Sequence, residues 1–345
     1  MKPLFNRRLF NPSKGPMRIA IFMSGSGTNA NKILEHYLEQ TDNGRRPEQC
    51  SFVPALIFTD NYNISKALEI SRKFKEKLPQ EPRYTTDNKG NVVLDENVLR
   101  GITFVGNDIR AFYGDAGSSD MKSLEKRAEF DAEQADLLAK HSIDMVVLAG
   151  YDRIVTSRVY NRFLTINMHP ANLRAKSEHG KPIYPGLAWV PSAKAILNGD
   201  RYVNSSVHIV TGELDGGPLL AVSEPQPVNL PEELEKMDTG QRQKNLLGIF
   251  YHSKDSFKSM KLCLDNNPHL FNKEHQDALL RIAPLGFYAK DCQERLKVHG
   301  DWVIYPQVIE WIAQGSYSKD WRGRMYFDKQ PIPNGVDFQA LNRQQ

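Results

Sequence analysis

The sequence predicts an α/β fold built on a mostly parallel, doubly wound sheet with helical insertions. Three observations carry that expectation. Short β-branched apolar runs alternate with stretches of helical periodicity, glycine- or Asp/Asn-rich turns follow the runs, and 345 residues suffice for one large domain or two ordinary ones. Strands alternating with helices imply a parallel sheet covered on both faces, whose ligands sit outside the carboxyl ends of the strands. The residues just after each run are therefore the ones to examine.

The first run, Arg18 to Met23, is followed by the loop Ser24-Gly25-Ser26-Gly27-Thr28-Asn29 and a stretch in which Ile33, Leu34, Tyr37 and Leu38 recur at helical spacing. The run Phe52 to Phe58 ends at Thr59-Asp60-Asn61 and leads into the helix-like SKALEISRKFKEK. An amphipathic stretch from Leu124 to His141 leads into a third run, Met145 to Gly150. Phe163 to Met168 and Ser205 to Val210 follow, and then PLLAVSEPQPV, whose prolines suit an antiparallel or edge strand. Residues 1–16 read as a flexible extension and 17–228 as the core. Within it, 76–123 is a polar insertion with one short strand candidate, ITFVG. Residues 229–295 read as a helical insertion, a second small domain being the alternative, and 296–345 as a C-terminal helix and tail packing on the core.

Composition narrows the function classes. Lys and Arg number 45 against 41 Asp and Glu, with no long basic run of the kind that tracks a nucleic-acid backbone, so anionic small molecules fit better than RNA. Cys50, Cys263 and Cys292 are odd in number and widely spaced, which argues against a disulfide framework and a structural zinc site. No apolar stretch approaches the ~20 residues needed to cross a bilayer, and the segment before Met17 lacks the features of a secretory signal. A cytoplasmic chain with small-molecule substrates is expected, with no membrane or nucleic-acid partner; a homodimer is left open.

Three motifs carry chemistry. The glycine turn lets backbone approach an anion, and the helix that follows offers free N–H groups and a favourable dipole, although a plain tight turn capped by Thr28 or Asn29 is the ordinary alternative. It lacks both the third glycine of a dinucleotide fingerprint and the Walker lysine. Asn167 and His169, in Asn167-Met168-His169-Pro170, fall on one side of a strand that the proline stops, leaving an amide and an imidazole able to donate to an oxyanion. A histidine beside a proline is more often structural. His208 precedes Gly212-Glu213-Leu214-Asp215-Gly216-Gly217-Pro218, where a constrained turn can hold a carboxylate at a tuned pKa, although Asp-Gly-Gly is also a common turn.

In this order, the pieces SGSGTN, VVLAGYDRI, NMHP, YPGL and SVHIVTGELDGGP resemble the phosphoribosylglycinamide formyltransferase family, over residues 17 to about 75, 127–228 and about 296 onward. The resemblance implies a formyltransferase-like variant of the Rossmann fold. It implies Asn167, His169 and Asp215 as the catalytic set, with His208 in support. Gly27, Thr28 and Asn29 fall on the family's phosphate contacts, and Arg127 and Asp301 on its remaining substrate contacts. Tyr151, Arg153, Ile154 and Val155, with Glu213, fall on its folate site. 10-Formyltetrahydrofolate is then the co-substrate and no metal is needed. Asp152 stands where the family has an aliphatic or methionine side chain, Asp301 where it has a glutamate. AKSEHGKPI lengthens the loop after His169.

On this resemblance the amine attacks the formyl carbon, Asn167 and protonated His169 hold the oxyanion, and Asp215 shuttles a proton to the folate nitrogen. The most specific acceptor is glycinamide ribonucleotide, in de novo purine synthesis. Formyltetrahydrofolate deformylases share the triad but carry an extra domain in front, and sixteen residues precede Met17 here, so transfer is expected over hydrolysis. Another amine, such as an amino sugar nucleotide or charged tRNA, is a further alternative. A non-catalytic nucleotide-binding protein is disfavoured by the joint presence of Asn167, His169 and Asp215.

Overall fold

The computed structural model describes residues 6–61, 84–86, 92–99, 102–109, 121–247 and 284–342, together with Ile70 and Phe112. The helix-like stretch SKALEISRKFKEK and most of the 76–123 insertion lie outside these residues. The chain divides into two units. The first comprises residues 1–168, 208–213 and 305–333, the second residues 169–207, 214–304 and 334–345.

In the first unit the strands lie in the order Leu164–His169, Met145–Leu148, Met17–Met23, Phe52–Thr59, Ile102–Asn107, Val92–Leu99, Tyr84–Thr86. The first five run parallel. The two outer strands, from the inserted region, pair antiparallel. The parallel strands are mostly apolar, as expected where both faces are covered, with polar residues such as Thr59, Asn107 and His169 at their carboxyl ends. Ala20, Phe22, Leu56, Phe58, Val146 and Leu148 form one core with Phe130, Ala135 and Leu138 of the helix Met121–Lys140. The helix Thr28–Asp42 buries Ile33, Leu34 and Tyr37, and its His36 bonds Glu310 of Trp302–Ala313 at 2.6 Å. Tyr305, fully buried, donates from its hydroxyl to the carbonyls of Leu148 (2.9 Å) and Ile166 (3.1 Å), tying two adjacent strands together.

The chain proceeds outward from Met17–Met23 on one side of the sheet and then returns to its other side at Met145–Leu148. The switch of direction falls between these two strands, and ligands of open α/β sheets bind at the carboxyl ends of strands at such a point. Residues 6–16, expected as a flexible extension, are tethered instead. Arg7–Arg8 pairs antiparallel with Ser318–Lys319, Leu9 N–H donates to Tyr317 O at 2.9 Å, and Phe10 is buried. Backbone pairing with a C-terminal ribbon leaves no sequence-local signal.

The second unit gathers Tyr184, Trp189, Val190, Ile196 and Val203 with Leu246, Leu285, Ala289 and Leu296 into one core. Two of the described helices of the 229–295 segment, Thr239–Leu247 and Pro284–Leu296, thus share a core with the helix Val190–Asn198. The strand Leu219–Val222, expected to be antiparallel or at an edge, pairs parallel with Val336–Asp337, while Gln226–Pro227 pairs antiparallel with Tyr202–Val203. Nothing in the local pattern of the first strand announces the returning C-terminal segment. Among the described residues, no helix is long and apolar enough to cross a membrane.

Candidate active site

At the switch point of the first unit, Ser24 leaves the sheet and its N–H donates to Gly150 O at 2.9 Å, while Asp152 N–H donates to Ser24 Oγ at 3.0 Å. The glycine turn and the segment after Leu148 are therefore laced together. Gly27 has φ of 62°, a left-handed conformation that favours glycine, and a Cβ there would stand 2.3 Å from Met23 Cε, so a side chain would have to displace the end of that methionine. It is the N-cap of Thr28–Asp42 and, having no side chain, supplies no side-chain cap itself. A helix start beside a left-handed glycine is suited to an anion.

Four residues expected at the folate site lie on the neighbouring segment, and their side chains part company. Tyr151 and Val155 turn into the core, Tyr151 with its ring edge-on to Phe22 at 5.4 Å. Burial, and after it the charge of Asp60, pushes the Tyr151 phenol well above its ordinary range. Arg153 Nε binds Asp60 Oδ2 at 2.8 Å, and the Asp60 carboxylate is wholly buried. Ile154 is exposed, but its carbonyl accepts from Arg127 Nη1 at 2.7 Å, so the arginine expected at the substrate meets the folate segment's backbone. Asp152 is exposed yet closely surrounded by protein; desolvation, then Asp60, raises its carboxyl pKa against the pull of Arg153. Asp131 fixes the end of the segment by accepting from Thr156 N–H at 2.5 Å. Asp60 and Asp131 were not singled out from sequence. Their signals were slight: an acid directly after a strand, and the last residue of RAEFD.

Asn167 and His208 meet within the same unit. His208 is buried, and its Nδ1 lies 3.1 Å from Ile209 O. A carbonyl only accepts, so this nitrogen carries the proton and neutral His208 presents Nε2 as an acceptor. Asn167 Nδ2 stands 3.5 Å from that Nε2, a long contact that orients the amide. Glu213 is exposed on the following turn, its N–H donating to Thr211 Oγ1 at 3.3 Å.

In the second unit His169 is buried, its Nε2 2.8 Å from Tyr184 O and its Nδ1 3.5 Å from Asp215 Oδ2. By the same reasoning Nε2 is the donor, and Nδ1 faces the carboxylate. Asp215 sits at φ 52°, a left-handed conformation that Asp tolerates better than most side chains and that two glycines follow. The backbone turn thus delivers the carboxylate. Asp301, expected at a ribose, is buried and accepts from Ser205 Oγ at 2.5 Å; a Cβ on the preceding Gly300 would stand 2.7 Å from that Oγ. The lengthened loop after His169 is closed by its own bonds, with Ser177 N–H donating to Lys181 O at 2.8 Å, and by Arg174 pairing with Asp337 at 2.8 Å. Among the described residues no group of three or more His, Cys, Asp and Glu side chains is placed to hold a metal ion.

Residues 17–247 match the model of the formyl transferase family, and the chain belongs to that family. It is similar to the phosphoribosylglycinamide formyltransferase of Escherichia coli K12, with 35% identity over 100 residues that cover 28% of this chain and 42% of that enzyme. It is also 29% identical over 94 residues to the formyltetrahydrofolate deformylase of Bacillus subtilis 168, covering 27% of this chain and 29% of that protein. The crystal structure of glycinamide ribonucleotide transformylase 1 from Symbiobacterium toebii shares the fold, with a TM-score of 0.52 at 20% identity over 90% of this chain and 94% of that one. The chain spans about half or less of the length of the curated relatives it matches.

Proposed function

We propose that this chain transfers the formyl group of 10-formyltetrahydrofolate to the primary amine of a phosphorylated substrate, with glycinamide ribonucleotide as the acceptor. The observation that carries the reading is the His169 imidazole, anchored at Nε2 by Tyr184 O and facing Asp215 through Nδ1. That Asn167 precedes it by two residues on one strand, where alternate side chains leave on one side, supports a joint role.

In this reading the neutral amine attacks the formyl carbon and the carbonyl oxygen takes up negative charge. The Asn167 amide, oriented by its contact with His208, donates one hydrogen bond to that oxygen. His169 donates another from Nδ1, which bears a proton only in the imidazolium, because the neutral ring's single proton is held at Nε2. Asp215 faces that nitrogen and stabilises the cation. Asp215 also takes the proton from the ammonium formed on attack and passes it to N10 of the folate, whose bond to the formyl carbon then breaks, leaving formamide and tetrahydrofolate. The backbone amides after Gly27 hold the substrate phosphate and so place the amine. The folate is held largely by the backbone of 151–155, as the family resemblance implies.

Hydrolysis is the second reading, favoured by the similarity to a deformylase; the left-handed glycine turn at the start of Thr28–Asp42 favours a phosphorylated acceptor. The test is release of tetrahydrofolate from 10-formyltetrahydrofolate with and without glycinamide ribonucleotide. Turnover that requires the ribonucleotide is expected. Turnover indifferent to it establishes the hydrolase instead, and turnover only with another amine, such as an amino sugar nucleotide, replaces the acceptor.

A further inference from the structure

Lys194 is buried on the helix Val190–Asn198, a costly place for an ammonium unless its protons are bonded. Its Nζ donates to Pro185 O at 3.0 Å. Asn198, one helical turn further on and therefore on the same face, donates from Nδ2 to Tyr184 Oη at 2.9 Å. The Tyr184 hydroxyl in turn donates to Asp200 Oδ2 at 2.6 Å. Burial, and after it that bond, lifts the phenol above its ordinary range, so it remains a donor. One helix face thus holds the Tyr184-Pro185 turn at two points: the phenol of one residue and the carbonyl of the next. Between those points lies the Tyr184 carbonyl, the acceptor for His169 Nε2.

We infer that Lys194 is a positioning residue for His169, acting through the Tyr184-Pro185 turn. The carbonyl it steadies keeps the imidazole proton on Nε2 and turns Nδ1 toward Asp215. A catalytic histidine in the wrong tautomer loses most of its function even where its surroundings are intact. Gly186 at φ 139° and Ala188 at φ 53° follow the turn in conformations that L side chains rarely adopt. The chemical consequence for formyl transfer rests on the reading above; the tautomer does not.

The experiment compares wild type with Lys194→Met and Lys194→Arg. Imidazole 15N resonances at alkaline pH, assigned to His169 by their loss in His169→Gln, report the tautomer. Wild type is expected as a single Nε2–H form, Lys194→Met as a mixture, and Lys194→Arg as mostly restored. In folate turnover Lys194→Met is expected to lower kcat by about tenfold to a hundredfold with KM for both substrates unchanged. If the methionine variant does not fold, Lys194→Gln, neutral but polar, takes its place with the same expectation. A single Nε2–H signal in the neutral variant, or an Nδ1–H signal in wild type, overturns the inference. Absence of wild-type folate turnover with any amine would remove the formyl-transfer reading, and the resonances would still decide the role of Lys194.

Discussion

Two histidines, each with a polar neighbour at 3.5 Å, are held in opposite chemical senses. His208 gives its Nδ1 proton to the carbonyl of the very next residue, Ile209, and so meets Asn167 as an acceptor. His169 gives its Nε2 proton to Tyr184, fifteen residues on, and meets Asp215 through Nδ1. The same ring turns an acceptor toward an amide in one place and faces a carboxylate in the other, and the difference lies in which nitrogen a carbonyl occupies. A residue type does not assign a role; the second hydrogen bond of its ring does.

Substitutions sharpen that contrast. The largest effect is expected at Asp215. Asn tolerates the left-handed backbone as Asp does, so Asp215→Asn keeps the turn and removes the base, lowering kcat by about 10²- to 10⁴-fold with folate binding retained. A near-normal rate in steady-state assays would take Asp215 out of the mechanism. Next comes Asn167→Ala, which deletes one oxyanion donor and is expected to cost about 10²- to 10³-fold in kcat. His208→Leu removes the acceptor that orients Asn167, so about a tenfold loss is expected. In an Asn167→Ala background it should cost almost nothing more, because the partner it positions is gone. Full additivity of the two in a double-mutant cycle would separate His208 from Asn167.

The fold was largely legible because its information is local. The apolar runs at Phe52, Met145 and Leu164 form strands within a residue or two of their expected limits, since parallel strands buried on both faces are predominantly apolar. Asn167, His169, His208 and Asp215 could be named from motifs, but their pairing could not. The contacts of His169 with Tyr184 and of Arg153 with Asp60 join segments far apart in sequence, and no spacing rule encodes them. Nor did sequence show that Asp301 would be taken up by Ser205, because only the missing side chain of Gly300 admits that approach. The tethering of residues 7–8 escaped for a similar reason: strand addition depends on backbone groups that every residue carries.

The smallest expected effect concerns a third histidine, His36, far in role from the other two. Glu310 accepts from His36 Nε2 at 2.6 Å, and this bond first of all holds its carboxyl below the usual glutamate range against the opposing effect of burial. The sign follows from linkage. An acid whose pKa is depressed in the folded state contributes stability above its unfolded value, and that contribution is lost as pH falls through the folded value. Glu310→Gln should therefore lower stability near neutral pH, by about 1 kcal/mol or less because the pair is partly solvated. The gap between variant and wild type should close as denaturation is followed into acid below the ordinary glutamate range. A gap that stays constant with pH would mean that packing around Glu310, rather than its charge, joins Thr28–Asp42 to Trp302–Ala313. Turnover should be unchanged in the same variant, since neither His36 nor Glu310 belongs to the two pairs on which the chemistry is proposed to rest.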